Sequence, residues 1–86
     1  MLHIEASEVG EMPLDDGLVV PRVRMTTYGL PEILITVGDQ EYQYERSFPI
    51  KGQSATVPKA VRALLAAKKT PLVLERPDRF YIYVEK

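Results

Sequence analysis

One segment alone carries the apolar period of an α-helix, and two prolines bracket it. Val57, Val61, Leu64 and Leu65 fall at i, i+4, i+7 and i+8, which makes a single apolar stripe. Ala60, Ala63, Ala66 and Ala67 add helix propensity. Pro58 suits the first helical position, because its φ is already helical and its missing N–H would have no partner there. Ser54 and Thr56 are candidate local caps for the exposed amides. Thr70-Pro71 ends the run, since a residue before proline is pushed out of the α region. Lys68 and Lys69 then fall in the last turn, against the negative end of the helix dipole. The expected helix covers about 58–69, and everything on either side reads as strand and turn.

The strand signals give an α+β fold: one small, mainly antiparallel β domain over residues 1–86 with a single principal helix. Residues 2–5 are a short opening strand, and 8–17 read as loop from their acids and turn formers. Residues 18–25 are a strand, demoted to an edge or bulged position because Pro21 lacks a ladder donor. Residues 27–31 make a connection, with Tyr28-Gly29-Leu30-Pro31 supplying the bend. The β-branched run 32–37 is a strand, Gly38-Asp39 a two-residue turn, and 40–48 the return strand. Strict alternation puts Tyr42, Tyr44, Arg46 and Phe48 on one face of that strand, toward the core. Residues 72–75 and 79–84 form a C-terminal β-hairpin about Pro77-Asp78. In its last strand Phe80, Ile82 and Val84 share one face and Arg79, Tyr81 and Tyr83 the other. Two-sided burial is hard for an 86-residue chain to supply, so the tyrosine face is read as a partner surface.

Charge is divided along the chain. Residues 1–45 hold nine acids against two arginines, whereas 46–74 hold six basic residues and no acid. The formal net charge of −1 hides this asymmetry. It fits either an anionic partner or a basic helix packed beside the chain's own acidic strands. The 45% apolar content argues against disorder. No apolar run approaches the ~18 residues of a membrane span, and no signal-peptide pattern opens the chain. With no cysteine, disulfides and thiolate metal sites are excluded, and a cytoplasmic protein, in a host cell or a virion if of phage origin, is expected.

Catalytic chemistry has little to stand on. His3 is the only histidine, and Ser7, Ser47 and Ser54 lack both a nucleophile-elbow context and a convincing base. The five glycines are too scattered for a phosphate loop. Asp15-Asp16-Gly17 lacks the further oxygen ligands of a calcium loop and reads as a turn. No enzyme activity, cofactor or metal is expected.

Lys51-Gly52-Gln53, Thr56-Val57-Pro58-Lys59, Val61-Arg62 and Leu64 resemble the motif of the AbrB/SpoVT/MazE swapped-hairpin family over roughly residues 46–86. The sequence departs from that motif by the extra residue at Ser54-Ala55 and by Lys68-Lys69-Thr70-Pro71 in place of a glycine-aspartate turn. The resemblance implies an intertwined dimer that presents Arg46, Lys51, Lys59 and Arg62 to DNA phosphates as a regulator or antitoxin. The first expectation is different. It is a non-enzymatic protein–protein interaction or assembly module, a small subunit or structural component of a larger complex (a phage particle among them). Its contacts are expected at Tyr81, Tyr83 and Arg79, with a protein partner or a second copy.

Overall fold

β7 (Arg79–Glu85) runs through the middle of a seven-stranded sheet, and its sequence explains why. It is apolar on both faces, so it is stable only where both faces are covered. A computed structural model describes residues 2–14, 17–51 and 56–86 of the chain. The other strands are β1 (Leu2–Ile4), β2 (Gly10–Pro13), β3 (Val19–Arg24), β4 (Leu34–Val37), β5 (Gln40–Pro49) and β6 (Pro71–Glu75), in the order β1-β4-β5-β7-β6-β3-β2. A single helix, α1 (Thr56–Ala66), is found among the described residues. The Ser54 cap, the Gly52-Gln53 part of the family motif and the Asp15-Asp16 turn lie outside the described residues.

The sheet is mixed. Four pairings are antiparallel, and β1–β4 and β3–β6 are parallel. β5 and β6 both run antiparallel to β7, hence parallel to each other. α1 therefore makes a β-α-β crossover with β7 inserted between its strands. β6 and β7 pair antiparallel from Pro71↔Val84 to Glu75↔Phe80, across the short Arg76–Asp78 connection. They sit at the centre of the sheet, not at its periphery.

Each face of the sheet has its own core. On the outer face Val57 and Val61 of α1 pack with Leu14, Val20, Val73 and Ile82. Each such side chain contributes ~1.5–3 kcal/mol on full burial. On the inner face Tyr81 and Tyr83 pack with Ile4, Val23, Ile35, Tyr42, Leu72 and Leu74. The sheet curls around this second core, so that β1 and the end of β3, far apart in strand order, line one cleft. The radius of gyration is 11.9 Å, close to the ~12 Å of a compact chain of this length.

Several expectations change. Tyr81 and Tyr83 are 3% and 0% exposed, so they are not a partner surface: curling lets one chain cover the face that a flat sheet would have left open. A β-bulge between Tyr44 and Arg46 breaks the alternation of β5. One extra residue there moves Arg46 and Phe48 to the helix side, opposite Ile82 and Phe80, while Tyr42 and Tyr44 stay inside. β3 is an internal strand, because Pro21 pairs with β2 at Glu11 and the β6 ladder begins only at Arg22. The segment read as loop over 8–17 contains β2.

The helix also ends earlier than 69. Lys68 takes φ 63°, while the Lys68 and Lys69 amides donate to the Leu65 and Leu64 carbonyls at 2.9 and 3.0 Å. That is a Schellman C-cap with lysine where glycine is usual, so the helix stops before Thr70-Pro71 is reached. At the other hairpin Gly38 does supply the positive φ, 59°, that a two-residue turn requires.

Candidate functional site

The connection from β3 to β4 has the longest way to travel. Its two strands are separated in the sheet by β6, β7 and β5, so residues 25–33 must cross the inner face of β7. The side chains beneath this loop grip it by its backbone. The Tyr81 hydroxyl donates to the Gly29 carbonyl at 3.0 Å, and the Tyr83 hydroxyl to the Glu32 carbonyl at 2.8 Å. Nη1 of Arg76 donates to the Thr27 carbonyl at 3.0 Å and to Thr27 Oγ1 at 3.3 Å. Hydrogen bonds to buried groups are costly to break, because the stranded partner loses its solvation as well.

The grip is tight at Gly29. A β-carbon there would stand 3.2 Å from Nη1 and 3.3 Å from the central carbon of the Arg76 guanidinium, so any side chain would require the guanidinium to give way by a few tenths of an ångström. Arg76 itself is 7% exposed. Tyr44 braces the phenols from the side, with its ring 6.3 Å from that of Tyr81 and 5.8 Å from that of Tyr83. These are tilted and edge-on contacts of the kind aromatic rings prefer.

With its backbone held from below, the loop turns its large side chains outward. Tyr28, Leu30 and Ile33 are 72%, 89% and 73% exposed. Isolated exposed apolar residues are ordinary on any surface. Three within six residues, on a backbone clamped by buried donors, form a presented apolar surface.

Burial also leaves a titration signature. Burial raises the Tyr83 phenol from 10.0 to about 12, outweighing the Arg76 charge and the backbone hydrogen bond at Glu32, which lower it. The folded state thus holds this proton more tightly than the unfolded chain. The associated stability is complete below pH ~10 and is lost as pH rises through the folded value near 12. Tyr83→Phe should flatten the fall of the urea midpoint across that alkaline window, a comparison that needs only unfolding curves at several pH values.

The remaining residues singled out in the sequence fall elsewhere. Arg79 is half-buried on the inner face and donates to Ser47 Oγ from Nε at 3.4 Å and Nη2 at 3.2 Å. Arg46, Lys51 and Lys59 are exposed and Arg62 is half-buried. Arg46 lines a groove of about 130 Å³ with Ala60, Ala63 and Leu64 of α1, and Glu45 from the bulge lines it too. Lys69 shares a neighbouring cleft with Glu45 and Glu85. The segment that is free of acids in sequence is therefore not free of them in space.

His3 hydrogen-bonds Thr36 Oγ1 at 2.7 Å and lies 3.4 Å from Glu5. That arrangement follows from cross-strand pairing, since His3 and Thr36 are register partners in β1 and β4. Among the described residues no three His, Cys, Asp or Glu side chains are grouped to hold a metal. No helix among them is long and apolar enough to cross a membrane.

Sequence reasoning missed Tyr28, Leu30, Ile33 and Arg76. A usable signal was present: three bulky apolar residues lie around Gly29 and Pro31, although Ile33 also fits the strand read over 32–37. No family model matches the chain, and neither a curated protein nor a solved structure does.

Proposed function

We propose that this chain is a non-enzymatic assembly module, a small subunit of a larger complex, and that it binds protein through Tyr28, Leu30 and Ile33. The supporting observation is the exposure of these three side chains on a loop held from beneath by Arg76, Tyr81 and Tyr83. The tyrosines do not meet the partner; they position the residues that do. Large apolar anchors at the centre of a contact carry most of its energy, each costing ~2 kcal/mol or more when truncated.

The test is photo-crosslinking in cells that make the protein. The photo-reactive amino acid p-benzoylphenylalanine, placed at position 30, should give discrete protein adducts. Removing the neighbouring anchors with Tyr28→Ser and Ile33→Ser should abolish them. The same probe at position 59 should give none. Absence of adducts from position 30, or equal adducts from both positions, would count against the reading.

A second reading is a DNA-binding regulator of the swapped-hairpin kind, and one observation favours it. The β5 bulge places Arg46 on the helix side, in a groove with α1, where Lys59 is exposed. Titration into random-sequence duplex DNA separates the two readings. Binding that falls steeply with salt, and is lost in a folded Lys59→Glu/Arg62→Glu variant, supports the regulator. No binding at low salt removes it.

A further inference from the structure

β1 and the end of β3 line one cleft of about 620 Å³, and each turns backbone groups into it that no strand of the sheet takes up. Successive residues of a strand point their peptide groups to alternate sides. In β1 the Ile4 carbonyl accepts from the Gly38 amide at 2.9 Å, which turns Ile4 toward β4. His3, one residue back, therefore turns its N–H and C=O toward the cleft. In β3 the Met25 amide donates to the Glu75 carbonyl at 2.7 Å, toward β6. Arg24 therefore turns its peptide groups the other way. β2 does not reach them, because its ladder with β3 stops at Arg22.

An opening walled by peptide donors and acceptors is matched by another extended backbone, as when a peptide adds a strand to a sheet. β1 and β3 run in opposite directions. An added strand lies antiparallel to one wall and parallel to the other, and the sheet already contains both kinds of ladder. The lining side chains define what such a strand carries. Leu2 and Met25 pack against the inner core yet are only half-buried, so they call for apolar residues above them. His3 and Arg24 already have acidic neighbours, Glu5 at 3.4 Å and Glu75 at 3.1 Å. Glu8, also lining the cleft, is exposed and has no ion pair among the described residues.

The chain's own outer edge at β2 is a poor match. Arg22 faces β2 as Arg24 faces the cleft, so Gly10 and Met12 turn toward β3, while Glu11 and Pro13 turn outward. Pro13 has no N–H to give, and Glu11 would bring a like charge toward Glu8. We infer that the β1–β3 cleft binds an extended segment of a different protein as an added strand. Its apolar residues cover Leu2 and Met25, and a basic residue meets Glu8. The cleft is a site separate from Tyr28, Leu30 and Ile33, and the inference does not depend on them.

Amide hydrogen exchange by NMR on the full chain tests this, with a blocked hexapeptide of alternating lysine and valine as the probe. In the free protein the His3 and Arg24 amides should exchange fast beside protected Met25 and Gly38 amides. Peptide at up to millimolar concentration should slow exchange at His3 and Arg24. The same peptide N-methylated at every residue keeps its side chains but loses its donors. It should bind at least ~10-fold more weakly. Glu8→Lys, a change at an exposed position, should shift the preference to a hexapeptide of alternating glutamate and valine.

No binding of the lysine–valine peptide at millimolar concentration overturns the inference. So does equal binding of the N-methylated peptide, or a complex in which His3 and Arg24 still exchange fast. Protection of both amides at high protein concentration without peptide would place a second copy in the cleft, which also overturns it. None of these results alters the crosslink expected from position 30, so the loop surface stands or falls separately.

Discussion

Replacing Tyr83 with alanine should destabilise the domain by about 3–5 kcal/mol, the range for losing a fully buried aromatic side chain. Tyr83 is 0% exposed and packs in the inner core, and its hydroxyl is the donor to the Glu32 carbonyl. Truncation therefore opens a cavity and strands an acceptor at once. Domains of this size hold only ~0.05–0.15 kcal/mol per residue, so one substitution removes a large share of the whole. A urea titration measures it: the midpoint should fall sharply. Had this face been a partner surface, the isolated chain would lose less than about 0.5 kcal/mol, as exposed sites do.

Ile82→Ala should cost about 2–5 kcal/mol from the opposite face of the same strand. Ile82 is 0% exposed and packs against Val57 and Val61 of α1 through the outer core. The two substitutions are adjacent in sequence yet open cavities in different cores. Comparable losses from both would establish that β7 is covered on its two faces by its own chain. A large loss from Ile82→Ala with almost none from Tyr83→Ala would describe a sheet with one bare face.

Local rules reached much of this architecture. The apolar stripe of α1, the β4–β5 turn at Gly38 and the strand content of β5, β6 and β7 follow from short-range periodicity and backbone preference. Three features did not follow, for one shared reason. The bulge between Tyr44 and Arg46, the internal place of β3 and the burial of Tyr81 and Tyr83 all depend on which strands lie side by side. Alternation reports that a strand has two faces, not what lies over each. The helix end was misplaced for a different reason. Lysine can adopt the left-handed conformation at modest cost when two capping hydrogen bonds reward it, and nothing in the sequence announces that trade.

The candidate site was harder to read because it is made of connections. Tyr28-Gly29-Leu30-Pro31 looks like a bend, and it is one. Its importance comes from the strand order, which forces it across β7, and from Arg76, Tyr81 and Tyr83, some fifty residues further on, whose hydrogen bonds hold it. Tyrosine was recognised as important for the wrong location. Tyr81 and Tyr83 are buried and hydrogen-bond the backbone of this loop, while Arg79 bonds Ser47.

The presentation of Tyr28, Leu30 and Ile33 on a held loop is the claim on which the account rests, and backbone ¹⁵N relaxation of the wild-type chain at neutral pH tests it most directly. If Arg76, Tyr81 and Tyr83 hold the loop, residues 27–32 should show order parameters near the ~0.85 of rigid backbone, matching β5 and β7. Values below about 0.6 in that loop, beside a rigid sheet, would contradict it. Tyr28, Leu30 and Ile33 would then be tethered to a mobile segment with no fixed surface to offer.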